Sequence, residues 1–192
     1  MRKASEGQTN HTTLVEYTVS LINDLGFLDK NGNFKKKDRE HSQIYSSILT
    51  VFAIYAPVTD VRPPLEDERT LRQFAWRDAE CWRLARAYLE WLLKNEVQID
   101  KEWNLLLYLM LQNSMPNYLH KRGNRETDYR YDCIRALDHI LKTKFNLYLL
   151  GSRPNKIPYR AEIIADALEK VAKIELQPES VKKVIQRSKG QN

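Results

Sequence analysis

Arg135 and His139 stand one helical turn apart in "DCIRALDHI". An arginine fork can polarise a phosphate, and an imidazole can move a proton near neutral pH. The plainer reading is an exposed histidine on a solvated face, paired with Asp138 or Arg135. The other histidines, His11, His41 and His120, form no HxxxH, HExxH or Cys/His cluster. No zinc or di-iron site is therefore expected, and no cofactor. No glycine-rich phosphate loop or Gly-x-Ser-x-Gly elbow is present, and "LLGSRPNK" lacks the required spacing. Paired ExxE and ExxD motifs are missing, and "EDE" at Glu66–Glu68 spreads its acids around one helix turn. Cys81 and Cys133 read as small core residues rather than nucleophiles. An enzyme is not the leading expectation, and no small-molecule substrate is evident.

The Arg135–His139 pair resembles that of helical ribonucleases of the HEPN type, which carry an arginine and a histidine on one helix. The resemblance implies a ribonuclease using those two residues. Those enzymes keep a wider interval. Here three residues separate Arg135 from His139, and eight separate Arg130 from it.

The closing stretch "KVAKIELQPESVKKVIQR" offers a different chemistry. It resembles a helix-turn-helix in its apolar pattern, over about twenty residues. Val171 and Ile174 close a first helix, and Leu176 anchors the turn. Ser180, Val181, Val184 and Ile185 face inward on a second helix. Glu179, Lys182, Lys183 and Gln186 face outward, and Arg187 and Lys189 follow. Glu175 falls where such turns favour a residue tolerant of left-handed backbone. Any hairpin of two helices would share this pattern. The DNA-reading version assigns phosphate contacts to Lys182, Lys183, Arg187 and Lys189. Lys35, Lys36, Lys37, Lys121 and Arg122 would serve as secondary contacts.

A third candidate is "ERTLRQFAWRDAECWRLARAYLEWLL". Drawn as one continuous helix, it gathers Leu71, Phe74, Ala75, Ala85, Leu89 and Leu92 on one side. Arg69, Arg72, Arg83 and Arg86 gather on another, with Trp76 among them. Such a stripe could meet a polyanion, or a protein partner through Arg72, Trp76, Arg83 and Arg86. Glu80 and Glu90 can pair with Arg83, Arg86 or Lys94, which gives the plainer reading of a solvated face. Asp78 falls in the middle of the apolar side. A buried or half-buried salt bridge to Arg130 or Arg135 is expected there.

The elements that must carry these residues are helical. Thr12 or Thr13 should cap a helix ending at Gly26. "DKNGNFKKKD" reads as a loop around Asn31-Gly32, since its flanks lack the alternation of a hairpin. A second helix is expected over 38–56, one helix over about 65–95, and another opened by Asp100 and carrying "WNLLLYLML". Thr127 or Asp128 should cap a helix reaching Leu149, striped by Ile134, Leu137, Leu141, Phe145 and Tyr148. Two short helices close the chain, at about 159–173 and 178–187, the last opened by Pro178. Pro57, "RPP" at 62–64 and "GSRPNKIP" mark the breaks.

The expected architecture is all-α, with roughly seven helices. A lead (1–11) precedes an N-terminal helical hairpin (12–56), a main bundle (65–150), a C-terminal helix pair (159–187) and a basic tail (188–192). The 192 residues suffice for a core without disulfides. With 31 Lys and Arg against 25 Asp and Glu, the net charge of +6 is compatible with a polyanion without requiring one. Two distant cysteines without a pairing pattern point to a reducing compartment, and no signal peptide or membrane span is visible. A cytoplasmic, non-catalytic nucleic-acid binder, with DNA as ligand and a regulatory, phage, plasmid or defence role, is the leading expectation. A protein partner or homo-oligomer stays open.

Overall fold

The computed structural model describes residues 10–36, 46–48, 50–52, 62–112, 115–120, 129–149 and 159–187. They form an all-α bundle: α1 (His11–Leu25), α2 (Leu65–Phe74), α3 (Ala79–Lys94), α4 (Asn104–Leu111), α5 (Arg130–Phe145), α6 (Arg160–Ala172) and α7 (Pro178–Arg187). Single 3₁₀ turns lie at Lys101–Trp103 and Asn117–His120. The described residues hold no strand, only one antiparallel bridge between Leu28 and Phe34. None of their helices is long and apolar enough to cross a membrane.

α5 lies at the centre. Cys133, Ile134, Ala136, Leu137, Ile140 and Leu141 are all buried, a wider apolar surface than one stripe. Tyr148, expected on that stripe, lies beyond the helix and is exposed, because Asn146 in left-handed geometry ends α5 first. α6 packs on α1, α5 and α7, and α7 also reaches α5. α2 packs on α1 and α3, and α3 on α4.

Several boundaries differ from expectation for local reasons. α1 is capped by Asn10, whose Oδ1 accepts from the Thr12 amide, rather than by Thr12 or Thr13. Gly26 does end it, at φ +67. The loop at 27–36 is a minimal hairpin. The Asp29 carboxylate accepts from the amides of Asn31 and Asn33, and Gly32 takes φ +82. That aspartate turn supplies the register the flanks do not. Of the helix expected over 38–56, residues 46–48 and 50 are helical and 51–52 take π geometry. Ile48 and Phe52 are core residues, and Phe52 meets Tyr88 edge-on. The rest of that helix lies outside the described residues, as do the expected caps Thr127 and Asp128.

The largest correction concerns 65–95. α2 ends at Phe74, a turn follows over 75–77, and Asp78 is extended at φ −142° and ψ 138°. Its carboxylate accepts from the amides of Glu80 and Cys81. Asp78 is therefore the N-cap of α3 and not a paired charge on an apolar face. An aspartate satisfies free amides best at a helix start, and here that preference splits the helix.

The buried charge sits elsewhere. Glu68, only 2% exposed, accepts from Arg62, the Tyr88 hydroxyl and the Trp103 indole. Arg62 also meets Asp100. This network ties the start of α2 to α3 and to the turn before α4. The Glu68 hydrogen bonds raise the Arg62 pKa, and burial followed by Glu68 raises that of the Tyr88 phenol. A second buried pair, Arg160 with Asp138, joins α6 to α5, and Arg160 also donates to the Leu147 carbonyl.

Candidate nucleic-acid interface

α7 is amphipathic by simple spacing. Val181 and Ile185 are buried, and Val184 is half-buried, packed against the core. Lys183, Gln186 and Arg187 are exposed. Lys182 is half-buried and its ammonium lies 3.5 Å from Glu179. Lys182 is thus partly neutralised within its own helix, and Lys183 and Arg187 are the more accessible cations. The connection from α6 spans 173–177, and Pro178 opens α7 as expected. The left-handed residue of the turn is Lys173, at φ 52°, and not Glu175. Lys173 is exposed beyond the end of α6, where a cation also suits the helix dipole. Lys189 lies outside the described residues.

The small hairpin stands against this pair. A Cβ built on Gly32 would lie 3.2 Å from the Val171 carbonyl in the last turn of α6. Lys36 is exposed on the hairpin and Lys35 half-buried. Lys37, Lys121 and Arg122 lie outside the described residues. The tip of the lysine-bearing hairpin thus meets the last turn of α6, and Lys173 is exposed just beyond that turn. Exposed acids, Asp29, Glu169, Glu175 and Glu179, stand among them and moderate the field.

Behind Lys35 lies a concentration of positive charge. Arg77, in the break between α2 and α3, donates to the Gly26 carbonyl. Its guanidinium lies 5.3, 5.0 and 5.0 Å from the ring centres of Phe27, Phe74 and Tyr129. Its Nε is buried without a hydrogen-bond partner. Burial lowers the Arg77 pKa. Burial, then Arg77, then Arg69 lower that of Lys35. The Lys35 carbonyl accepts from the Tyr129 amide at the start of α5, so the hairpin, the α2–α3 break and α5 meet at this point. Arg77 escaped sequence reading because its position depends on a helix break that the wheel smoothed over.

The arginine stripe does not survive as one surface. With α2 and α3 separate, Arg69 and Arg72 belong to one helix and Arg83 and Arg86 to another. Arg83 and Arg86 are exposed, and Arg86 pairs with Glu90 at 2.9 Å. Trp76 is 2% exposed and packs edge-on against Trp82, so it offers no stacking face. Arg135 and His139 are both half-buried on central α5, so His139 is not the exposed residue of the plainer reading. Arg135 pairs with Asp132 at 3.2 Å, while Asp138 is taken by Arg160.

No protein-family model matches the chain, and no curated protein or solved structure does.

Proposed function

We propose that this protein binds nucleic acid, with duplex DNA as the ligand, in a non-catalytic role. The outer face of α7 supplies the main phosphate contacts through Lys182, Lys183 and Arg187, and Lys35 and Lys36 of the hairpin supply secondary ones. The observation that carries this reading is the approach of Gly32 to the Val171 carbonyl. It sets the tip of the lysine-bearing hairpin against the last turn of α6, which α7 follows. Burial first, then Arg77 and Arg69, lower the Lys35 pKa, and a phosphate beside it would offset the part due to the two arginines. Buried free thiols at Cys81 and Cys133 suit a reducing cytoplasm.

The test is fluorescence anisotropy of a labelled random duplex at several salt concentrations. Wild type should bind at about 50 mM salt, and its log affinity should fall linearly with log salt. Lys182→Ala with Lys183→Ala should reduce that slope by about 0.9 for each phosphate no longer neutralised, equally for all sequences. Thermal stability should hardly move, since exposed charges contribute little. Absence of binding by the wild type at low salt would end this reading. Equal slopes for the two proteins would remove α7 from it.

A further inference from the structure

We infer that the cleft between α1, α2 and α4 is a binding site for a small ring-bearing carboxylate. The cleft encloses about 430 Å³. That lies within the range of roughly 300–1,000 Å³ typical of small-molecule sites. Leu21, Leu25 and Leu106 form an apolar floor, and all three are core residues. Tyr17 and Tyr108 provide aromatic walls, Tyr17 half-buried and Tyr108 40% exposed. Flat walls of this kind favour a ring over a flexible chain, because offset and edge-on contacts add to area burial.

The charges decide the sign of the ligand. Asp24, Lys101, Glu102 and Lys144 all line the cleft, and all four are exposed. Arg72 is the lining charge that is half-buried. It makes no hydrogen bond or ion pair within 4.0 Å to another described residue, although Glu102 and Asp24 act on it from further away. Water can screen the four exposed charges, while the fork of Arg72 is partly desolvated and has no carboxylate within 4.0 Å among the described residues. A planar carboxylate is what that fork fits best, through two parallel hydrogen bonds. Lys101 and Lys144 add two further cations to the lining, and the Lys144 ammonium donates to the Tyr17 hydroxyl at 2.9 Å.

This site is separate from the α7 face, so it stands or falls independently of DNA binding. The probe is 2-naphthoate, titrated by calorimetry, with 2-naphthalenemethanol as its neutral counterpart. Naphthoate should bind saturably at one site, and the alcohol at least about tenfold more weakly, as expected when a charge-assisted hydrogen bond is missing. Arg72→Met keeps the apolar stem and should bring naphthoate down to the level of the alcohol. Leu105→Trp, which fills the cleft from α4, should abolish binding of both. Should Arg72→Met fail to give a wild-type circular dichroism spectrum, Arg72→Lys keeps the charge without the fork. It should then show intermediate affinity. Duplex binding should be unchanged in every variant. No saturable binding, equal affinity for acid and alcohol, or unaltered binding by Leu105→Trp would each overturn the assignment.

Discussion

Two acids near the start of neighbouring helices illustrate how differently one carboxylate can matter. Asp78 is half-buried and accepts two backbone amides as an N-cap. Its replacement by Ala should cost about 1 kcal/mol, the usual scale for removing a cap. Glu68 is buried and receives Arg62, Tyr88 and Trp103. Glu68→Ala would leave the buried Tyr88 and Trp103 donors without their acceptor and Arg62 with Asp100 as its remaining carboxylate. It should cost on the order of 3–5 kcal/mol. Urea unfolding of both variants checks the ranking. An Asp78→Ala loss as large as that of Glu68→Ala would mean that Asp78 carries more than a cap.

At the scale of elements, the hairpin at 27–36 is held by one aspartate turn and one glycine. Gly32 has a positive φ of 82° and almost touches the Val171 carbonyl. Gly32→Ala therefore meets both left-handed strain and a backbone oxygen that cannot rotate away. A loss of about 1–2 kcal/mol is expected. If the hairpin and the α6–α7 pair bind DNA together, the same change should weaken duplex binding through displaced Lys35 and Lys36. Gly32→Ala with undiminished stability would show that the contact is loose. The α2–α3 break belongs to this scale too. It turns Arg77 toward Gly26 and three rings, and it separates two pairs of arginines that a continuous helix would have aligned.

For the molecule as a whole, alkaline pH separates two opposing effects. Cys81 and Cys133 have pKa values raised above their ordinary 9.0 by burial. The unfolded chain therefore loses these protons first, and stability falls as pH rises past 9.0. Lys35 works in the other direction. Its pKa in the fold is below its ordinary 10.5, so the unfolded state holds more protons and stability rises with pH up to that value. Wild type should lose stability above about pH 9, where unfolded thiols ionise. Lys35→Gln should lose it more steeply, because the opposing effect is gone. At neutral pH Lys35→Gln should be the more stable of the two, since it no longer buries part of a charged ammonium or places a cation beside Arg77 and Arg69. Urea midpoints across the alkaline range test this. Parallel pH profiles for the two proteins would show that the Lys35 ammonium is not disfavoured in the fold by burial or by its neighbouring cations.

Periodicity and breakers made the helical class legible, along with Gly26 as a stop, the start of α2 after "RPP" and the whole of α7 from Pro178 to Arg187. These depend on local preferences that every fold containing the segment must respect. The inward face of α7 was legible too, because Val181 and Ile185 recur at helical spacing. What the linear order could not decide was contact between distant segments. The extent of burial around α5 depends on α6 and α7 covering faces that one stripe leaves unspecified. The true partner of Asp138 is Arg160, 22 residues away, and not a neighbour on the same helix. Trp76 and Arg72 seemed to share an exposed stripe, yet packing sends the indole into the core and leaves the guanidinium in a cleft. In each case the deciding energy is desolvation against groups far away in sequence, and only the tertiary structure brings those groups together.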